Sequence, residues 1–439
     1  MLLDRFGRGQ RGSGRGHPPR LATRFLVHAC VLAVAVACGR SGSGDANGDI
    51  VTMWTDIAEI AAYVEAFNVA SPGTRVELVY RDSQVTALAA GETEVPDLAI
   101  GRWLNAPTAR PHLAPLDGLF RDGTLEPSSF YAPLLALGAS EEGRQLALPF
   151  SFTMPVVVFR AADQPQELDR SVIDVATLRR LGSEYVAGSS AGLTQIGFSP
   201  LWDVQFLLYL ASADEDGLRA NASGGLQIDA AKLNAVTATA REWITESHGG
   251  PGRDQEFVRA FFHQPLYQLA IEGRIRFYLT DISSYFAIPD EKRQQLDFRW
   301  LTVDGAIPVD ADVRWLVKPA GSRNGPGVRA FLAWILDPAV QEELLGEVQF
   351  KRLRVFGLTD GLSALPEVNA RIYPRFHEFL LGRIPEATQL RFLGPMPAEW
   401  DLAQAAVVAP WLAAAVAGTE QDLSLQEALA EWRRDLRLE

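Results

Sequence analysis

Residues 50–80 predict an α/β fold built on a parallel sheet, and three observations carry that expectation. Ile50-Val51-Thr52-Met53-Trp54 has the length and β-branched content of a buried strand. Apolar residues then recur at Ile57, Ile60, Ala61, Val64 and Phe67, the spacing of one helical face. After a Ser71-Pro72-Gly73 turn, Val76, Leu78 and Tyr80 alternate with polar neighbours as a second strand should. Strand, helix and strand within about thirty residues imply a right-handed crossover between parallel strands. Small ligands bind at the carboxyl ends of such strands, which here puts Trp54, Thr55 and Asp56 first among the candidate residues.

The remaining elements extend the pattern. Val95–Ile100 reads as a third buried strand, ending in the loop Gly101-Arg102-Trp103-Leu104-Asn105. Leu146–Phe159 is extended but broken at Pro149 and Pro155, as a segment crossing between two domains would be. Residues 170–250 are mainly helical, with Trp202 near the start of a helix that is apolar nearly all round. Arg274–Leu279 is a strand that runs into Thr280-Asp281-Ile282-Ser283-Ser284-Tyr285. Phe298–Val303 and Arg314–Val317 are further strands, and Val328–Leu336 is a helix. Short helices fill the last hundred residues or so, and Ser424 with Glu427 forms a capping box on the final one.

The chain has 439 residues, 47% hydrophobic and 22% charged, with mean hydropathy near zero, which fits a globular protein of two or three domains. No apolar run reaches the ~18 residues that span a bilayer. Residues 1–24 carry Arg5, Arg8, Arg11, Arg15, Arg20 and Arg24 against Asp4, and Phe25–Ala37 is a short apolar stretch, the layout of an export signal. Ala35-Val36-Ala37-Cys38 resembles a lipobox, with Ala35 where Leu is more usual, and implies cleavage before Cys38 and lipidation of its thiol. The other cysteine, Cys30, also lies in the leader, so the mature chain is expected to form no internal disulfide. Residues 38–49 then have the composition of a flexible tether. Losing residues 1–37 removes six Arg and one Asp, which takes the net charge from −13 to −18. So acidic a body argues against a nucleic-acid partner and against charge-driven binding to anionic lipid.

The order of these elements resembles the bacterial extracellular solute-binding proteins of ATP-driven (ABC) importers, in the group with sugar- and oligosaccharide-binding members. The residues that carry the resemblance are Ile50–Asp56, Val95–Leu104, Leu148–Phe152, Gly197–Trp202, Tyr278–Pro289, Phe298–Pro308, Phe331–Leu345 and Pro397–Trp411. It implies two α/β lobes joined by hinge crossings, with the ligand in the cleft between them. Lobe 1 would take residues 50–150 and 306–338, and lobe 2 residues 153–304 and 340–439. It further implies a lipid-anchored, monomeric receptor in the cell envelope, with permease subunits as partners and neither catalysis nor cofactor of its own. A polyamine or organic-anion receptor of the same fold, or an envelope binding or signalling module without transport, are the alternatives.

A sugar site needs flat aromatic faces for the C–H surfaces of a pyranose and polar groups for its hydroxyls. Trp54, Trp103, Phe152, Trp202 and Tyr285 lie at or near strand ends or crossings and are the candidate platforms. Thr55, Asp56, Arg102, Asn105, Asp281, Ser283 and Ser284 are the candidate polar contacts. Asp56 has a competing role, because Asp56-Ile57-Ala58-Glu59 has the form of a capping box. Asp360, in Thr359-Asp360-Gly361, reads as a turn residue. Enzyme signatures fail in context. Gly188-Ser189-Ser190-Ala191-Gly192 fits G-x-S-x-G but follows no apolar strand, and Gly7–Gly12 fits G-x-G-x-x-G inside the basic leader. The six histidines show no metal-ligand spacing.

Overall fold

The computed structural model describes residues 49–436, apart from 83, 93, 167, 213–217 and 222–224. The leader, Cys30, Cys38 and the tether up to residue 48 lie outside the described residues.

The opening unit forms as its periodicity requires. Strand β1 (Asp49–Thr55) leads through helix α1 (Ile60–Ala70) to β2 (Thr74–Tyr80), and the two strands pair in parallel from Asp49 opposite Thr74 to Thr55 opposite Tyr80. Ile60, Tyr63, Val64 and Phe67 turn the buried face of α1 towards the sheet. Strand β3 (Leu98–Arg102) lies parallel on the other side of β1, Met53 opposite Leu98. Val51, Met53, Leu98 and Ile100 are wholly buried, each worth about 1.5–3 kcal/mol relative to exposure. Asp97 braces this corner. Its carboxylate accepts from the backbone N–H groups of Thr52 (3.0 Å), Arg323 (2.9 Å) and Asn324 (3.0 Å).

Two sheets organise the body. The first runs Leu362–Ser363, β4 (Ala147–Phe152), Arg314–Val317, β3, β1, β2, so two of its strands return from late in the chain. The second runs Phe277–Asp281, β5 (Pro155–Arg160), Leu296–Thr302, β6 (Val172–Asp174). Thr153 and Met154 alone separate β4 in one sheet from β5 in the other. A second crossing, Ile307–Val309, pairs in parallel with a third, Leu390–Phe392, and the Asp310 N–H bonds the Thr153 carbonyl (3.0 Å). The crossings thus form a small hydrogen-bonded ribbon between the sheets.

Alternation along β5 separates the cores. Val156 and Val158 join one core that continues into the first sheet, whereas Val157 and Phe159 join a second core with Trp243, Trp400, Leu412 and Leu429. Residues 340–439, expected in lobe 2, divide between the sheets. Leu362–Ser363 pairs with β4, Phe356 stacks on Phe286 near the second sheet (4.6 Å), and helices 400–436 pack in the second core. The helical stretch 400–417 is, by length and composition, apolar enough to cross a membrane, a property that unbroken apolar runs do not reveal because Asp401 and Gln404 interrupt it. Its Val408, Leu412 and Val416 face is buried against the second core. Ala187–Ser189 and Gly192–Gln195 form a hairpin, so G-x-S-x-G here is a β-turn sequence.

Candidate functional site

The expected residues at the end of β1 split between core and rim. Trp54 is 7% exposed, with the Arg81 guanidinium 4.2 Å above its ring, and Thr55 is wholly buried, its Oγ1 accepting from the Ile57 N–H (3.1 Å). The capping box at Asp56 does not form. Residues 57–59 make a turn, α1 starts a turn later at Ile60, and Glu59 caps it without a side-chain bond. Asp56 is freed for another role: its Oδ1 accepts from Gln84 Nε2 (3.1 Å) beside Gly101. A Cβ at position 101 would fall on Asp56 Oδ1 and Gln84 Nε2, so a side chain there would push this pair of side-chain ends aside.

At the end of β3, Arg102 reaches Asp312 (3.4 Å) and Asp401 (2.8 Å). Trp103 adopts a left-handed backbone (φ 58°), and its indole N–H donates to Asp401 Oδ2 (3.3 Å). Asn105, expected to face a ligand, is a core residue. It donates to the Leu137 carbonyl (2.9 Å) and accepts from Arg110 Nε (3.1 Å). Phe152 and Tyr285 are likewise core. Phe152 sits edge-on to Tyr131 (5.4 Å) and Phe392 (5.5 Å), and Tyr285 packs on Phe298 (4.9 Å). Both are wholly buried, because the crossing ribbon and the second sheet close over them. Trp202 stacks with Phe257 (6.1 Å, 15°) and is half-buried.

From the second sheet, Asp281 ends its strand and caps the next helix, accepting from the Ser284 N–H (2.9 Å) and Oγ (2.6 Å) and from the Ser283 hydroxyl. Around it stand carboxylates that no sequence pattern singles out. Asp310 accepts from the Tyr209 hydroxyl (3.2 Å) and the Asp312 N–H (3.2 Å), Arg314 pairs with Asp312 (2.7 Å), and Asp203 caps its helix through the Gln205 N–H (2.9 Å). Asp360 is the turn residue its sequence suggested, at φ 54°, yet it belongs to the same electrostatic cluster.

Burial, then Asp312, pushes the Asp310 carboxyl up to about 6, with Asp281 adding to the effect. Burial also raises Asp203 and Asp360, each further raised by Asp281. Asp56 is raised by burial against the pull of Arg102 and Arg314. These mutual influences join groups from both sheets into one field. Asp56, Asp312, Asp360 and Asp401 lie around Arg102 and Arg314, and Asp203, Asp281 and Asp310 adjoin them. Chemically it offers many charge-assisted acceptors and a few fork-shaped donors, the complement of a ligand rich in O–H or N–H groups. Among the described residues, no group of three His, Cys, Asp or Glu is arranged to hold a metal ion.

No protein-family model matches this chain, and no curated protein matches it in sequence. Solved structures match over most of its length. The sugar-binding protein MalE from the phytopathogen Xanthomonas citri is 13% identical, with a TM-score of 0.61, over 89% of this chain and 100% of that one. The cyclic α-maltosyl-1,6-maltose binding protein from Arthrobacter globiformis is 16% identical, with a TM-score of 0.57, over 88% and 97%. The fold is that of the two-lobed solute-binding proteins. An ABC substrate-binding protein from Listeria monocytogenes, solved with cycloalternan, agrees at 13% identity and a TM-score of 0.58, over 89% and 98%. The two sheets correspond to the two lobes of that fold, and the ribbon of crossings joins them.

Proposed function

We propose that this chain is the substrate-binding lipoprotein of an ATP-driven importer, which captures a sugar or oligosaccharide between its lobes and delivers it to permease subunits. One observation carries the reading: Asp360 feels both Arg314, from a strand of the first sheet, and Asp281, from a strand of the second, so charged groups of the two sheets stand close together beside the crossings. Ligand contacts made to both lobes stabilise the closed arrangement and shift the population towards it. The chain needs no catalytic group for this task, and ATP hydrolysis belongs to the transporter.

Asp56, Arg102, Trp103, Trp202, Asp281, Ser283 and Ser284 remain the ligand contacts of choice, joined by Asp310, Asp312 and Asp360. Trp202 keeps its place because the next residue, Asp203, belongs to the carboxylate cluster. Trp54, Thr55, Asn105, Phe152 and Tyr285 act as the packed support behind them. Cys38 carries the lipid, residues 39–48 form the tether, and the anchored protein is a monomer in the cell envelope. The names of the matched structures support a carbohydrate, since they bind mannobiose, maltose and related oligosaccharides. The excess of carboxylates over arginines favours a second reading, a cationic solute such as a polyamine. A thermal-shift screen over sugars, polyamines and organic acids separates the two. A ligand at about 100 times its Kd should add roughly 2.7 kcal/mol of stability. A shift with polyamines alone would sink the sugar assignment.

A further inference from the structure

The contact between Arg102, Trp103 and Asp401 joins the lobes through side chains of this chain alone. Arg102 ends a strand of the first sheet, whereas Asp401 lies between Trp400 and Ala403, both buried in the second core. The ion pair is 2.8 Å long, and the Trp103 indole adds a hydrogen bond of 3.3 Å to the same carboxylate oxygen. Trp103 also packs against both cores. Beside it, Trp315, Pro395 and Met396 line a narrow crevice along the inner edge of the contact.

Its outer side is wet. The side chains of Arg102 and Asp401 are 39% and 46% exposed, so separating them strands no buried charge. Arg102 also has a second carboxylate, Asp312 at 3.4 Å, at the foot of a neighbouring strand in its own sheet. When Asp401 leaves, Arg102 keeps a partner. The contact thus has two satisfied states, joined and released. Trp103, at the centre of the contact, holds a left-handed backbone that costs a non-glycine residue energy.

We propose that Asp401 is the keeper of an interlobe clasp, which Arg102 and Trp103 grip to hold the lobes together in the absence of ligand. The clasp sets the fraction of molecules open to receive a ligand, and so tunes apparent affinity through the equilibrium that precedes binding. An exposed ion pair of this kind shifts such an equilibrium about two- to fivefold.

The test uses the full chain with Cys30→Ser and Cys38→Ser, which frees it of native thiols, and spin labels at Ser128→Cys and Ala238→Cys, one on each lobe. Ligand-free distance distributions by pulsed electron resonance are compared for the parent, Asp401→Asn and Trp103→Phe. Asp401→Asn is expected to move the population about two- to fivefold towards the longer distance, and Trp103→Phe to move it less. High salt should open the parent and leave Asp401→Asn nearly unmoved. Glu399→Gln, which breaks the nearby ion pair to Arg433, is the control and should change nothing. Identical distributions for parent and Asp401→Asn at low salt, with both folded by circular dichroism, would overturn the clasp.

Discussion

Replacing Asp310 by asparagine tests the electrostatics of the cleft through stability alone. Folding raises this carboxyl from 3.8 to about 6, chiefly by burial and then by Asp312. The folded state therefore binds a proton more tightly than the unfolded chain, and the stability this confers is present below pH 4 and lost as pH rises through 6. Two units correspond to about 3 kcal/mol as a ceiling. Asp310 is only part-buried by its exposed area, so solvent screening trims this to about 1–2 kcal/mol. The amide introduced by Asp310→Asn cannot ionise, but it offers one acceptor where Tyr209 and the Asp312 N–H now use two, at a cost of about 1 kcal/mol. Urea unfolding between pH 4 and 7.5 reads the difference between variant and parent. That difference should move in favour of Asp310→Asn by about 1–2 kcal/mol from pH 4 to pH 7.5. Asp56, Asp203 and Asp360 titrate in the same direction but are present in both proteins, so they largely cancel. A difference that stays constant with pH would refute the assignment.

Other substitutions follow from close packing. Gly197→Ala would drive a Cβ to 1.9 Å from the Gly182 carbonyl oxygen, so it should cost about 1–3 kcal/mol in thermal or urea unfolding, and an unchanged midpoint would contradict the contact. Trp54→Ala should cost about 3–5 kcal/mol, because the ring is buried under Arg81, and a stability loss below about 1 kcal/mol would return Trp54 to the ligand surface. Cys38→Ala in the full chain should move the protein from the membrane fraction to the soluble fraction, and continued membrane association would defeat the lipid anchor.

Much of the architecture is legible in residue order, because strand and helix periodicities are local. The βαβ unit at 50–80 and the Pro-broken crossing at 148–155 both fall where their patterns put them. Residues 340–380 are harder to place, since a two-residue strand such as Leu362–Ser363 has no period to detect. The candidate site is less legible in the sequence than the fold. Strand ends point to Asp56, Arg102 and Asp281, but Phe152 and Tyr285 show that an aromatic at a strand end is as often roofed over as exposed. Asp310 and Asp312 lie in a crossing segment with no helix or strand signature, and Asp401 comes from a helix about three hundred residues away in sequence from Arg102. Only the folded topology brings these charges together.

The most direct measurement is isothermal titration calorimetry with mannobiose and a series of maltooligosaccharides, on the parent and on Asp281→Ala. Saturable one-to-one binding of at least one of these sugars, weakened about tenfold or more by Asp281→Ala, is the expected result and corresponds to about 1.4 kcal/mol for a lost charge-assisted contact. Saturable binding of polyamines with no heat from any sugar, or sugar binding indifferent to Asp281→Ala, would contradict a carbohydrate held between the two lobes.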